Sequence, residues 1–161
     1  MQSTSSDEAQ QLAEQVARLA QQRGARVAVA ESLTSGMIAN QLGAAPEASS
    51  WFVGGVVAYA ADVKFKVLGV DPGPVVTAHC AAQMATGVAE LLSADLAVAV
   101  TGVGGPDPDE GHPAGTVYLA VRAGSREAVG HHHFDGDPTQ VIEQSTVAAL
   151  QLLRTALETP H

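Results

Sequence analysis

The 161-residue sequence has little positive charge, few aromatic residues and a single cysteine. Eight lysines and arginines against seventeen aspartates and glutamates leave a formal net charge of −9, which repels the phosphates of nucleic acids. Aromatic residues make up only 4% of the chain, too few for a platform on which bases stack. Cys80 has no second cysteine to pair with, which excludes an internal disulfide framework. The composition therefore argues against nucleic-acid binding and favours a reducing, cytoplasmic compartment.

Long apolar runs are also missing. None reaches membrane-spanning length, and the polar, acidic stretch from Ser3 to Glu8 does not have the apolar core of a signal peptide. Hydrophobic residues nevertheless make up 46% of the chain, which is typical of a globular protein. We expect one domain over residues 1–161, with residues 1–6 flexible. The apolar, alanine-rich helical segments favour a homodimer.

Helical and strand patterns alternate in the first half of the chain, which then finishes β-β-α. Helices are predicted over 7–22, 37–42, 62–68, 81–92 and 138–158, and strands in the run after Arg26 and over 51–59, 95–100, 116–121 and 128–134. Gly24 closes the first helix, and Asp137 caps the last one, with Pro138 at its first position and Gln140 completing a capping box. The near-continuous apolar run 95–100 is typical of a central strand that is covered on both faces. This order predicts a three-layer α/β/α sandwich with a mixed, mostly parallel central sheet.

Ser32 follows the first predicted strand directly, within the stretch 30–36 that leads into a helix. In an open α/β sheet, ligands bind beyond the carboxyl ends of the strands, where helix N-termini present unpaired N–H groups. A hydroxyl at that place would face the ligand. The same cluster of serines and a threonine is also typical of simple helix capping.

Two later loops follow strands that we expect to be parallel neighbours of the first. One contributes Tyr59 and Lys64, and the other is the glycine-rich stretch 101–106. A serine hydroxyl needs a base, and a lysine desolvated among apolar groups has a pKa low enough to serve as one. Tyr59 would relay a proton or hold the lysine's hydrogen bonds, and backbone N–H groups would stabilise an oxyanion. Together they indicate acyl transfer, although a surface lysine and a bare glycine connection are the ordinary alternatives.

The remaining motifs argue against a metal site and against a nucleotide-binding loop. On a strand, only alternate members of His131–His133 share a face, and no cysteine or carboxylate lies nearby at ligand spacing, so we expect packing or a surface edge. Cys80 is expected to be a small buried hydrophobe. The chain lacks the Gly-x-Ser-x-Gly elbow of α/β-hydrolases and any P-loop or dinucleotide fingerprint. We predict no metal and no other cofactor.

Five motifs follow one another along nearly the whole chain: Ala30-Glu31-Ser32-x-Thr34-x-Gly36, Tyr59-x-x-x-x-Lys64 with Leu68-Gly69-Val70, Thr101-Gly102-x-x-Gly105-Pro106, Pro113-x-Gly115-Thr116-Val117, and Gly136-Asp137. In this order they resemble the CinA C-terminal domain family, the nicotinamide-nucleotide amidases. The resemblance implies the same three-layer fold, hydrolysis of the carboxamide of nicotinamide mononucleotide to the acid and ammonia, and a role in NAD recycling. It also implies a serine nucleophile, Ser32, with Lys64 and Tyr59 as partners. The substrate-lining residues that we expect are Thr34, Ser35, Gly36, Thr101, Gly102, Gly104 and Gly105.

The chain departs from the family's pattern where a phosphate would be bound. The family has arginines directly after the Gly-Asp pair and four residues further on, where this chain has Pro138 and Ile142. Bidentate arginine contacts are among the strongest that a phosphate can receive. Three functions therefore stay open: the nucleotide amidase, a ligand- or partner-binding domain without efficient catalysis, and a hydrolase of an uncharged amide or ester.

Overall fold

The computed structural model describes residues 4–159, which fold around one five-stranded sheet. The strands are β1 (Val27–Glu31), β2 (Phe52–Val57), β3 (Leu96–Gly102), β4 (Thr116–Ala123) and β5 (Arg126–His133). The helices are α1 (Ser5–Arg23), α2 (Met37–Gly43), α3 (Ala61–Leu68), α4 (Ala78–Leu92) and α5 (Pro138–Glu158), and a short 3-10 turn (Ala48–Ser50) precedes β2. No helix within residues 4–159 is both long and apolar enough to cross a bilayer.

The strand order is β2-β1-β3-β4-β5. β1 pairs in parallel with β2 and with β3, whereas β4 is antiparallel to both β3 and β5. Within the described sheet, four strands therefore point one way and β4 points the other, which confirms the predicted mixed, mostly parallel sheet. The carboxyl ends of β1, β2, β3 and β5 meet at one edge. We call it the carboxyl edge, and the opposite one the amino edge.

Helices cover both faces of the sheet, so the predicted three-layer sandwich is confirmed. Alternate residues of β1 point to opposite faces. Val27 and Val29 pack in a core with α1, α2 and α5. Ala28 and Ala30 pack in a second core with α3 and α4. At Gly87, any side chain would collide with the end of α3, since a Cβ would lie 1.9 Å from the carbonyl oxygen of Leu68.

Capping residues explain where the helices begin. Asp137 caps α5 and forms a capping box with Gln140, as the sequence predicts. α4 begins three residues earlier than predicted, because the side chain of Thr77 accepts from the backbone N–H of Cys80. α1 also begins early, because Thr4 caps it. Residues 4–6 cap and open α1, and residues 1–3 lie outside the described part of the chain, so the flexibility expected for segment 1–6 stays a prediction.

Candidate functional site

The structure brings Ser32 and Lys64 together. Ser32 is the first residue after β1, and Lys64 lies in α3, which follows the parallel neighbour β2, so both are placed at the carboxyl edge. Lys64 Nζ donates a hydrogen bond to Ser32 Oγ over 2.9 Å. Lys64 is 2% exposed and Ser32 is 6% exposed, so this contact is shielded from bulk water. The convergence that the sequence predicts is present.

Burial controls the protonation of Lys64. Removal from water lowers the pKa of its ammonium group below the ordinary 10.5, and the negative charge of Glu110 acts in the opposite direction. Lys64 Nζ has a second contact, 3.0 Å long, to the backbone carbonyl oxygen of Tyr59. A lowered pKa enlarges the neutral fraction of the amine near neutral pH, and only the neutral amine accepts a proton from serine.

Glu31 shapes the turn that carries Ser32. Its fully buried carboxylate accepts from the hydroxyl of Thr34 at 2.6 Å and from the N–H groups of Ile38 and Ala39 at 3.0 and 2.9 Å. The first N–H groups of a helix have no partner within the helix, so an internal carboxylate is well placed there. Thr34, expected to line the substrate pocket, is buried and bonded to Glu31.

The same turn needs unusual backbone angles. Ser35 has a φ of 52° and Gly36 a φ of 102°, in the left-handed region that favours glycine. The hydroxyl of Ser35 lies 3.4 Å from the carbonyl oxygen of Leu33, within the turn itself. Ser35 and Gly36 therefore set the path of the turn directly after Ser32, and their contact with substrate stays a prediction.

Glu31→Ala is expected to destabilise the protein by about 2–4 kcal/mol, because it leaves the helix N–H groups and a threonine hydroxyl without a partner in the interior. Glu31→Gln should cost roughly half as much, since its amide oxygen still accepts. Urea unfolding measures both changes. Glu14→Ala on the exposed surface of α1 is the control and should stay within about 0.5 kcal/mol of the parent. An equally small effect at Glu31 would contradict the role given to its carboxylate.

The third predicted loop packs closely beside the serine turn. The buried Thr101 donates its hydroxyl to the carbonyl oxygen of Val75 at 2.8 Å. A Cβ on Gly102 would lie 2.4 Å from the carbonyl oxygen of Thr116, so the end of β3 approaches β4 too closely for a side chain. A Cβ on Gly104 would face Leu33 at 3.8 Å. These contacts give Thr101 and Gly102 structural roles and place Gly104 against the serine turn.

Gly105 completes that loop. It has a φ of 86° and precedes Pro106 through a cis peptide bond, and a Cβ there would lie 2.9 Å from Cβ of Ala114. The loop therefore folds back onto the segment that leads into β4. That the loop also lines a substrate pocket stays a prediction.

Tyr59 meets the lysine through its backbone, and its side chain is 68% exposed at the carboxyl edge. The sequence interpretation has the phenol relaying a proton or holding the lysine's hydrogen bonds. In the structure, the carbonyl oxygen holds the amine. The ring lies outside the buried pair, and a role of the phenol in the reaction stays a prediction.

Glu110 is a part of the site that the sequence does not reveal. Its carboxylate accepts from the N–H of Val75 through both oxygens, at 3.0 and 2.9 Å, and from that of Val76 at 2.8 Å. It thereby ties the loop between β3 and β4 to the segment before α4. No local sequence motif predicts this contact, because Glu110 lies 35 residues after Val75 and 34 after Val76 in the chain. Glu31, by contrast, carries a local signal: an acidic residue that ends a buried strand just before a helix.

Cys80 and the histidines do not add a second reactive centre. Cys80 is buried, as predicted, and burial raises the pKa of its thiol to about 11, which keeps it protonated. β5 is an edge strand, on which His131 stacks on Tyr118 with ring centres 4.3 Å apart and His132 stacks on Phe134 at 5.0 Å. The expected packing at a surface edge is confirmed. Within residues 4–159, no three metal-ligating side chains come together.

Comparisons with known proteins find related sequences over most of the chain. The profile of the CinA C-terminal domain matches residues 9–157. A CinA-like protein of Frankia casuarinae is 40% identical over 141 residues, which cover 84% of this chain and 33% of that protein. A putative competence-damage inducible protein of Bacillus subtilis is 37% identical over 142 residues, which cover 85% of this chain and 34% of that protein. The chain thus spans about a third of the length of these curated relatives.

Solved structures show the same fold. A CinA superfamily protein of Escherichia coli superposes with a TM-score of 0.90 at 33% identity, covering 96% of this chain and 94% of that one. A competence/damage inducible protein of Agrobacterium tumefaciens gives 0.88 at 31% identity, covering 94% and 96%. In each case the likeness covers more than nine-tenths of both chains.

Proposed function

The chain belongs to the CinA C-terminal domain family, and we propose that it is an amidohydrolase acting on the carboxamide of a pyridine nucleotide or a related amide. The observation that carries the proposal is the buried 2.9 Å contact between Lys64 Nζ and Ser32 Oγ. The substrate that the resemblance implies is nicotinamide mononucleotide, which would yield nicotinate mononucleotide and ammonia. The proposed reaction uses no cofactor.

The first half-reaction forms a bond between Ser32 Oγ and the carboxamide carbon. Neutral Lys64 takes the hydroxyl proton as this bond forms, and negative charge develops on the carbonyl oxygen. Backbone N–H groups of the turn directly after Ser32 are the candidate donors to that oxygen. The carbon–nitrogen bond then breaks, the Lys64 ammonium returns its proton to the leaving nitrogen, and ammonia departs.

The second half-reaction releases the acid. Lys64 is neutral again and takes a proton from a water molecule, whose oxygen attacks the ester carbon. The carbon–oxygen bond to Ser32 breaks, and Lys64 returns the proton to Ser32 Oγ. Tyr59 assists through its carbonyl oxygen, which orients the amine in both halves. The sum is one amide and one water converted to a carboxylic acid and ammonia.

A second candidate is a ligand- or partner-binding domain that keeps the fold without efficient catalysis. Pro138 and Ile142, which stand where the family's pattern has arginines, favour this alternative. The buried Lys64, hydrogen-bonded to Ser32, argues for catalysis, since lysine side chains are almost never fully buried in proteins.

We also propose a cytoplasmic location and a homodimer. The single free cysteine fits the first, and the exposed side chains of Leu91 and Val129 fit the second.

The two candidates are separated by measuring turnover and binding side by side. We expect the protein to release ammonia from at least one of nicotinamide mononucleotide, its nucleoside and free nicotinamide, in a coupled assay with millimolar substrate. Calorimetry on the same samples measures affinity. Binding without ammonia release from any of the three would overturn the amidohydrolase and support the binding domain.

A further inference from the structure

The arginines of this chain gather at the edge away from the candidate site. They are Arg18, Arg23, Arg26, Arg122, Arg126 and Arg154. Four flank the loops at the amino edge, and Arg18 and Arg154 lie in the last two turns of α1 and α5, which end at that edge. The five residues of β1, at about 3.3 Å each, hold the two edges about 16 Å apart. Of the two lysines, Lys64 belongs to the buried pair, and the exposed Lys66 lies 3.9 Å from Asp62.

At three places along the carboxyl edge, backbone N–H groups are bonded to the protein's own carboxylates. Helix N-termini at such an edge are the usual ligands of a phosphate. Here Glu31 occupies the N-terminus of α2, and Asp137 accepts from the N–H of Gln140 at 2.9 Å at the start of α5. Glu110 occupies the N–H groups of Val75 and Val76 ahead of α4. A phosphate arriving at any of the three would have to displace an internal carboxylate.

Exposed acidic side chains add to the negative charge of the same edge. Asp107 and Asp109 lie in the loop between β3 and β4, and Asp135 lies between β5 and α5, with its side chain 99% exposed. A phosphate monoester brings about −1.5 to −2 charges near neutral pH. Bringing it to this edge is therefore opposed by like charge, whereas a cation is attracted.

Building on the proposed function, we propose that the substrate is a carboxamide without a phosphate, and that a positively charged pyridinium nucleoside fits the site better than the corresponding nucleotide. The charge at the carboxyl edge selects against the phosphate, while the Ser32–Lys64 pair acts on the carboxamide at the other end of the molecule. The chemistry of the proposed reaction is unchanged.

The test compares ammonia release from nicotinamide riboside and from nicotinamide mononucleotide at low ionic strength. We expect kcat/KM for the nucleoside to exceed that for the nucleotide at least about ten-fold, mainly through KM. The triple variant Asp107→Asn/Asp109→Asn/Asp135→Asn should reduce this ratio about two- to five-fold. The matched control, Glu90→Gln/Glu127→Gln/Glu158→Gln, removes three exposed charges at the amino edge and should leave the ratio unchanged.

Equal or faster turnover of the nucleotide would overturn this inference and leave the amidohydrolase intact. If neither compound releases ammonia, the amidohydrolase fails on these substrates, and calorimetry with both compounds still decides the inference. Tighter binding of the nucleoside would support the charge selection, and equal or tighter binding of the nucleotide would overturn it.

Discussion

Ser32→Ala is expected to abolish ammonia release from every carboxamide that the parent protein hydrolyses, with a loss of roughly 10⁴-fold or more. The physical reason is that the only atom of this residue able to bond to the carboxamide carbon is Oγ, and alanine lacks it. Lys64 alone can activate a water molecule in its place, but that water is not held at the position of the missing oxygen. Initial rates at saturating substrate measure the loss.

The fold should survive this change. Ser32 is buried at the end of β1, and alanine fills almost the same space, so the melting temperature should move by only a few degrees. Ser125→Ala, in the exposed turn between β4 and β5, is the matched serine control and should keep full activity. Full turnover by a folded Ser32→Ala protein would end the assignment of the nucleophile.

Lys64→Met is expected to lower kcat/KM by about 10²–10⁴-fold, the usual contribution of a general base. Methionine keeps an unbranched chain of similar length and suits the apolar surroundings of α3, so the protein should still fold. Lys66→Met, two residues away on the exposed side of the same helix, is the control and should behave like the parent. A parent-like rate in Lys64→Met would show that some other group takes the proton of Ser32.

The role of Lys64 as general base predicts how kcat/KM depends on pH. The amine works only when neutral, so kcat/KM should rise with pH and level off above the pKa of Lys64, which burial holds below 10.5. Glu110→Gln removes a charge that opposes this lowering, so it should move the rise to lower pH. A rise centred at or above 10.5 would contradict a desolvated base.

Folding stability should respond to pH through the same group. Between the lowered pKa of Lys64 in the folded protein and 10.5 in the unfolded chain, the unfolded chain binds more protons, so this lysine makes stability increase as pH rises. Below both values, the buried group must be charged in the folded protein, and the contribution is unfavourable. Lys64→Met removes that part of the pH dependence, and urea unfolding at several pH values measures it.

Local signals were sufficient for the elements and for some of their limits. A cap depends on a few neighbouring residues, which is why Asp137, Pro138 and Gln140 predict the start of α5 correctly, and why Gly24 marks the end of α1. The alternation of helices and strands was likewise sufficient for the three-layer architecture, since few arrangements cover both faces of such a sheet. The order of the five motifs was sufficient for the family.

Contacts between distant segments could not be predicted from local signals, because they depend on which strands become neighbours. The placing of β1 between β2 and β3 brings residues 32 and 64 within a hydrogen bond, buries the lysine and so lowers its pKa. The carboxylates of Glu31 and Glu110 find their N–H partners only once helices and loops have converged on one edge. The proposed charge selection at that edge depends on the fold for the same reason: the arginines are scattered along the chain, and only the folded topology places them at the edge away from Ser32 and Lys64.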